Sequence, residues 1–449
     1  MCDDTAYTAL WLNSSGPSGV LMTCSENAGS GRDRQLAVAM IITMWMILVA
    51  SPAAAQTYRV IHTFSGGYDG ATPLSGLIID RSGNLYGTAS GGGKTNDGCE
   101  TYGCGVAFRL KATNGTWTLS PLYIFQGGTQ SGPDGSNPYA RMVFGANGAL
   151  YGTTAYGGGH RCNNITCGTV FKLTPPATAC KSALCYWTET VLYRFSGPPQ
   201  AGNPNYGPIV FDQAGNIYGV AGWGPSGYGA IYQLTESGGT WTENDLASAD
   251  SAESGVVFDN ADNLYGSNSG EGYGGVYQLM RSGTGWTLHQ LYSIVDVSDD
   301  GYSTFGGVIL DNAGNIYGST LEEGQGDGGT IFELLAGTFH FDVLYNLSEG
   351  TGPEESLTMD VAGNLYGTTW GGGAHFWGNV FKLSPSASGW TYTDLYDFTD
   401  GNDGGHPISN VVIDAQGNLY GTTAYGGSGP CTSAYNGNGC GVVWEITPN

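Results

Sequence analysis

An eight-residue phrase, Asp80-Arg81-Ser82-Gly83-Asn84-Leu85-Tyr86-Gly87, recurs six more times along this chain. Four copies are close: residues 212–219, 311–318, 360–367 and 414–421. Two are worn: residues 145–152 lack the Asp and the Asn, and 259–266 carry Asp262 in place of the first Gly. Short apolar runs such as Leu77-Ile78-Ile79 and Val411-Val412-Ile413 precede the phrase. The middle of the phrase is turn chemistry, because Asp bonds backbone amides while Gly and Asn tolerate positive φ. Leu/Ile-Tyr-Gly-Thr then resumes as strand. A strand, a turn and a strand, seven times over, constrain this chain more than any other feature.

Each phrase opens a larger unit. A Gly-rich loop follows, then a strand such as Val106-Ala107-Phe108-Arg109-Leu110. The next strand has an aromatic residue five positions before Leu-Tyr, as in Trp117 with Leu122-Tyr123, Trp390 with Leu395-Tyr396 and Phe339 with Leu344-Tyr345. The unit therefore holds four strands, a to d, and the phrase tyrosines recur every 47 to 67 residues. Four strands in roughly 40–50 residues is the period of a β-propeller blade. The chain reads as all-β, a seven-bladed β-propeller. Its ends support the count: 58–64 is a lone d-like strand, and the chain closes on a c strand, 442–446, with no d strand after it. Pairing the first strand with the last blade closes the ring and covers an edge that would otherwise aggregate.

Residues 36–50 form an apolar run, with Arg32 and Arg34 before it and Ala53-Ala54-Ala55 after it. This is the pattern of a signal peptide cleaved near Ala55–Gln56, with Met22 as an alternative start, and 15 residues is short for a membrane span. The expected organisation is a leader over 1–55 and one propeller domain over 56–449, exported to the periplasm, the cell surface or the medium. Beyond the leader the chain carries 12 bases against 34 acids. So acidic a surface disfavours nucleic acid and anionic membranes, and it suits cations, neutral glycans or basic partners as well as plain solubility. A monomer is expected.

Eight cysteines fall in close pairs: Cys99/Cys104, Cys162/Cys167, Cys180/Cys185 and Cys431/Cys440. Even number, local pairing and export read as four disulfides that pin loops. Zinc is the alternative, though the spacings are not Cys-x2-Cys and only His160 stands near a pair.

In a propeller the a–b and c–d turns share one face, and the d–a and b–c loops share the other. The repeated Asp then reads as a turn cap, with a calcium ladder as the alternative. The d–a/b–c face holds the diversity: Asp-Gly pairs at Asp69, Asp134, Asp300 and Asp403, and aromatic or ring side chains at Tyr156, Trp223, Trp370, His375, Trp377 and Tyr425. Aromatics on Gly-rich loops make a platform for sugar rings, unless they pack between blades. Acids there (Glu322, Glu323, Glu354, Glu355, Asp299, Asp300) admit glycoside hydrolysis if two meet across a cleft. Arg141 is the one base in an a-strand register otherwise filled by Gly76, Pro208, Gly255, Gly307, Ser356 and Asn410. It either lines the channel or makes a salt bridge. No Gly-x-Ser-x-Gly, P-loop or His-Glu-x-x-His occurs, so no catalytic residue and no cofactor are assigned.

The D-x-x-G-N-[LI]-Y-G-T units, Gly-rich loops and V-[FY]-x-L strands resemble the Gloeo/Verruco (GloVer) tandem-repeat family over 58–449, and more loosely NHL and lactonase-like propellers. The resemblance implies an exported "choice-of-anchor" protein with a varied C-terminal sorting signal and no established activity. This chain departs from anchored members by stopping at Pro448-Asn449, which suggests release or another route of attachment. The resulting expectation is a binding or surface-interaction module for a glycan or protein ligand. A polysaccharide lyase, hydrolase or lactonase, and a structural envelope protein, stand as alternatives.

Overall fold

The Asp of the phrase ties its own turn. Asp80 Oδ1 accepts the backbone N–H groups of Ser82 and Asn84 at 2.8 and 2.9 Å, and Oδ2 accepts the Asn84 side-chain amide and the Tyr86 hydroxyl at 2.7 and 3.0 Å. The same four bonds recur at Asp212, Asp259, Asp311, Asp360 and Asp414; for Asp360 they come from Ala362, Asn364 and Tyr366. Where the second copy has lost its Asp, Ala146–Gly148 forms a 3₁₀ turn with Asn147 at φ 57°. Asp262, standing where the other turns have Gly, adopts φ 62°, a left-handed conformation that Asp tolerates.

The computed structural model describes residues 56–448, except 96–98, 100–102, 128–133, 163–164, 179–184, 205–206, 226–227, 250–253, 270–273, 284, 295–299, 302, 323, 327, 349–351 and 433–437. The expected leader, Cys180, Asp299 and Glu323 lie outside the described residues. Residues 56–448 form one compact unit. Its first blade pairs Ile78–Ile79, Leu85–Ala89, Val106–Thr113 and Thr116–Ile124 in that order, all antiparallel. Five more blades repeat the plan within 143–194, 210–248, 257–294, 309–346 and 358–397. The seventh is built from Val412–Ile413, Leu419–Thr423 and Val442–Thr447, and its outer strand is Thr57–Thr63 from the other end of the chain. The ring is a seven-bladed β-propeller closed as expected. Blade 5 differs in one detail. Phe339, expected inside strand d, sits in the turn before Phe341–Asn346 at φ 52° and packs inward from there.

Every position of Leu-Tyr-Gly-Thr has a job. The Leu or Ile is buried. The Tyr meets the strand-d Trp of the next blade: Tyr86 with Trp187, Tyr218 with Trp286, Tyr317 with Trp390 and Tyr420 with Trp117, at 5.8 to 6.3 Å between centroids. The Gly lies under the aromatic ring of strand c that pairs with it. A Cβ on Gly367 would stand 2.6 Å from Phe381 Cζ, and one on Gly421 would stand 2.3 Å from Trp444 Cζ2. The Thr hydroxyl donates to a carbonyl in the next blade's d–a loop, as Thr88 to Pro138 at 3.0 Å and Thr422 to Pro73 at 2.9 Å. Apolar side chains from both blades of each pair fill the interfaces, including Phe64, Leu85, Val412 and Val443 where the last blade meets the first. The core is therefore a ring of inter-blade layers around an open axis.

Candidate functional site

The Asp-Gly pairs of the d–a loops hold their loops. Asp134 accepts the Tyr123 hydroxyl at 2.7 Å and the Gln126 N–H at 2.9 Å. Asp403 accepts the Tyr396 hydroxyl at 3.1 Å and the Thr399 N–H at 3.0 Å. Asp300 takes the Tyr292 hydroxyl, and Asp69 takes the Ser65 N–H and hydroxyl. The Tyr of the strand-d Leu-Tyr motif thus serves as the donor to its own loop at Asp134, Asp300 and Asp403.

Three of the expected platform residues come together. Trp370 stacks on His406 with 4.0 Å between centroids, while Trp377 and Tyr425 meet the same imidazole edge-to-face at 4.9 and 5.7 Å. His406 Nδ1 lies 2.9 Å from the Trp370 carbonyl oxygen, and burial pushes its pKa below the ordinary imidazole value. The backbone of His406 is left-handed, φ 54°. Trp370 occupies a position that the other blades fill with Ser90, Ala155, Gly222, Ser269, Leu321 and Ala424, so this cluster belongs to the seam between blades 6 and 7 alone. Tyr156 packs separately against Tyr139 at 6.4 Å. Trp223 is bridged to Gly202 and half-buried against the core of blades 2 and 3. His375 is exposed. The six expected residues therefore form no single platform, and one face of Trp370 is covered by His406.

Beside this cluster lies a cleft of about 400 Å³ between blades 5 and 6. Tyr345 and Tyr392 stack in its wall at 4.5 Å, and Phe376, 72% exposed, stands over it from the b–c loop. Asp394 and Asp397 supply two carboxyls. Burial and then the charge of Asp397 push Asp394 up to about 6. Asp397 Oδ1 accepts the Ala374 N–H at 3.0 Å, which draws the b–c loop to the carboxyl. These residues sit in ordinary strand-d positions, and only the spacing Tyr392-x-Asp394-x-x-Asp397, straddling the strand's bulge at Leu395, sets them apart.

The axial channel holds a second constellation. Arg141 lines a cavity of about 370 Å³, with Ser356 and Asn410 on its polar side and Val143, Val210 and Val257 among its apolar lining. Arg141 thus lies on the channel wall. Glu355, one residue before Ser356, is the carboxyl whose charge acts on it, while burial draws the guanidinium pKa down. Burial pushes both Glu354 and Glu355 up to about 7. Glu322 is exposed.

Cys99–Cys104 and Cys431–Cys440 are disulfides. Cys167 and Cys185 are also disulfide-bonded. Their expected partners fall outside what is described, Cys180 entirely and Cys162 in its side chain. Among the described residues no group of three or more His, Cys, Asp or Glu could hold a metal ion, and no helix is long and apolar enough to cross a membrane.

No curated protein matches the chain. Similar solved structures include a protein from Lactobacillus plantarum, 14% identical over 72% of this chain and 84% of that one, with a TM-score of 0.47. Others are the periplasmic gluconolactonase of Pseudomonas aeruginosa (13%, 72% and 84%, 0.45) and TolB of Acinetobacter baumannii (11%, 82% and 71%, 0.38). At such distances no residue's role is taken from them. The Gloeobacter/Verrucomicrobia repeat matches this chain over residues 48–242, 98–303, 166–359 and 304–449, overlapping spans that together reach from the expected leader to the last residue. The chain belongs to the Gloeobacter/Verrucomicrobia repeat family.

Proposed function

We propose that this protein is an exported carbohydrate-binding propeller that takes its ligand on the d–a/b–c face, in the cleft between blades 5 and 6. The cleft carries the reading. Exposed Phe376 with the Tyr345–Tyr392 pair offers apolar faces for a sugar ring, and Asp394 and Asp397 offer acceptors for its hydroxyls. Sugars present such a combination, a weakly hydrated ring face edged by donors. An acidic, disulfide-pinned protein fits an oxidising compartment and a neutral ligand.

The test is a glycan array on residues 56–449, followed by Phe376→Ala and Asp394→Asn. Each substitution is expected to weaken the best ligand by about tenfold, which corresponds to roughly 1.4 kcal/mol. Binding should also weaken as pH falls below about 6, where Asp394 gains a proton and loses acceptor strength. A ligand that both variants bind as the parent does would remove the cleft from consideration. Turnover of a bound glycan would favour the lyase or hydrolase reading instead.

A further inference from the structure

We propose that the axial channel at the level of Arg141 is a second binding site, for a small organic carboxylate that carries hydroxyl groups. The site stands apart from the cleft and does not depend on it. Six of the seven blades present an uncharged residue at this register, and blade 2 presents Arg141. Among the described residues no hydrogen bond or ion pair to a protein group holds its guanidinium. A partly desolvated cation with five donors and no fixed acceptor calls for an anion from outside.

Its surroundings are made for one. Asn410 is 6% exposed, and its Oδ1 has no hydrogen-bond partner. It converges with Arg141 over Gly76, where a Cβ would fall 1.7 Å from Asn410 Oδ1 and 3.1 Å from Arg141 Cδ. Glycine at this one position keeps the two side chains together. The residue before the register is Ser75, Ser254 or Ser409 in three other blades, and those serines bond back to strand b. Glu355 takes that place in blade 6 and acts on Arg141 instead. The cavity, about 370 Å³ and otherwise mostly apolar, suits a ligand of monosaccharide size. One guanidinium matches one carboxylate, whereas a phosphate dianion would face Glu354 and Glu355 with a single counter-charge. The Ser356 hydroxyl and the Asn410 amide offer both donors and acceptors to hydroxyls.

The charged groups facing this site are few: Arg141 faces Glu355, and Glu355 faces Arg141 and Glu354. Glu355 ionises near neutrality, burial raising it, Arg141 opposing that and Glu354 adding to it. Below that point the carboxyl is neutral and Arg141 is open to a ligand anion. Above it, Glu355 competes for the guanidinium. Ligand binding therefore takes up a proton when started from the ionised form.

The probe is D-glucuronate, with glucose as its neutral counterpart, titrated calorimetrically into residues 56–449 at pH 6 and pH 8 in two buffers of different ionisation enthalpy. Glucuronate is expected to bind at least about tenfold more tightly than glucose, as a charge-assisted pair implies. Its affinity should fall by up to about tenfold per pH unit above 7, with proton uptake visible as a buffer-dependent heat. Arg141→Gln should lose tenfold or more, Glu355→Gln should bind with a flat pH profile, and Phe376→Ala should leave this site unchanged. Equal binding of glucuronate and glucose would overturn the proposal. So would an Arg141→Gln variant that is folded by circular dichroism and binds as the parent does. If that variant fails to fold, the preference of the parent protein for glucuronate over glucose decides alone.

Discussion

A single carboxylate organises the a–b turn in six of the seven blades, and its chemistry sets how the ring answers to acid. Burial raises Asp80, Asp212, Asp259 and Asp360, but the bonds from Asn, Tyr and backbone N–H groups outweigh it and leave each below the ordinary aspartate value of 3.8. A folded-state pKa below the unfolded one means that the unfolded chain takes up protons first as pH falls. The stability these groups contribute is whole above pH 3.8 and drains away as pH drops through their lower folded values. The urea midpoint should therefore fall as pH drops below about 4, and Asp360→Asn should shallow that slope. At neutral pH Asp360→Ala is expected to cost about 1–2 kcal/mol by equilibrium unfolding, because its donors are left short of an acceptor. The Gly beneath each strand-c ring is equally specific. Gly367→Ala puts a methyl into Phe381 and Leu357 and should cost about 1–3 kcal/mol, with Phe381→Leu in the same chain restoring part of the loss.

Strands and loops differ in how openly the sequence declares them. The phrase specifies strands a and b because Asp, Asn, Gly and Tyr have fixed partners within six residues, so a local pattern carries the whole turn. The strand-d Trp was legible as a repeat, and its partner, the phrase Tyr of the preceding blade, emerges only when blades are laid side by side. Phe339 shows the limit: the same register signal, moved two residues into a left-handed turn, still reaches the core. Function was less legible than fold. Trp370 and Trp377 were visible as loop aromatics, but His406, from the next blade's d–a loop, is what gathers them. Tyr345, Tyr392, Asp394 and Asp397 look like plain strand residues, and their meeting depends on two blades approaching each other. Arg141 did stand out, because six equivalents supply the contrast. The disulfides act at this scale too. Cys440 is fully buried beside Phe64 while Cys431 lies in the b–c loop. Replacing both with Ser should lower stability by about 2 kcal/mol in thermal unfolding while leaving the far-ultraviolet circular dichroism unchanged.

At the level of the molecule, seven interfaces repeat one recipe, and the closing one differs only in how its outer strand is supplied. Thr57 faces Thr447 and Thr63 faces Val442 across that last sheet. Arg59 adds an ion pair to Glu445, which also accepts the Trp117 indole N–H at 3.3 Å, so the seam draws on both neighbouring blades. Removing residues 56–64 should bare the 442–447 edge and shift the protein to larger species in size-exclusion chromatography. The same arrangement has a bearing on biosynthesis. The first strand of the ring to be made docks against the last, so no nascent chain can hold the finished ring before Val442–Thr447 has emerged. Whatever shields the growing polypeptide must go on doing so until that closing strand is free to pair.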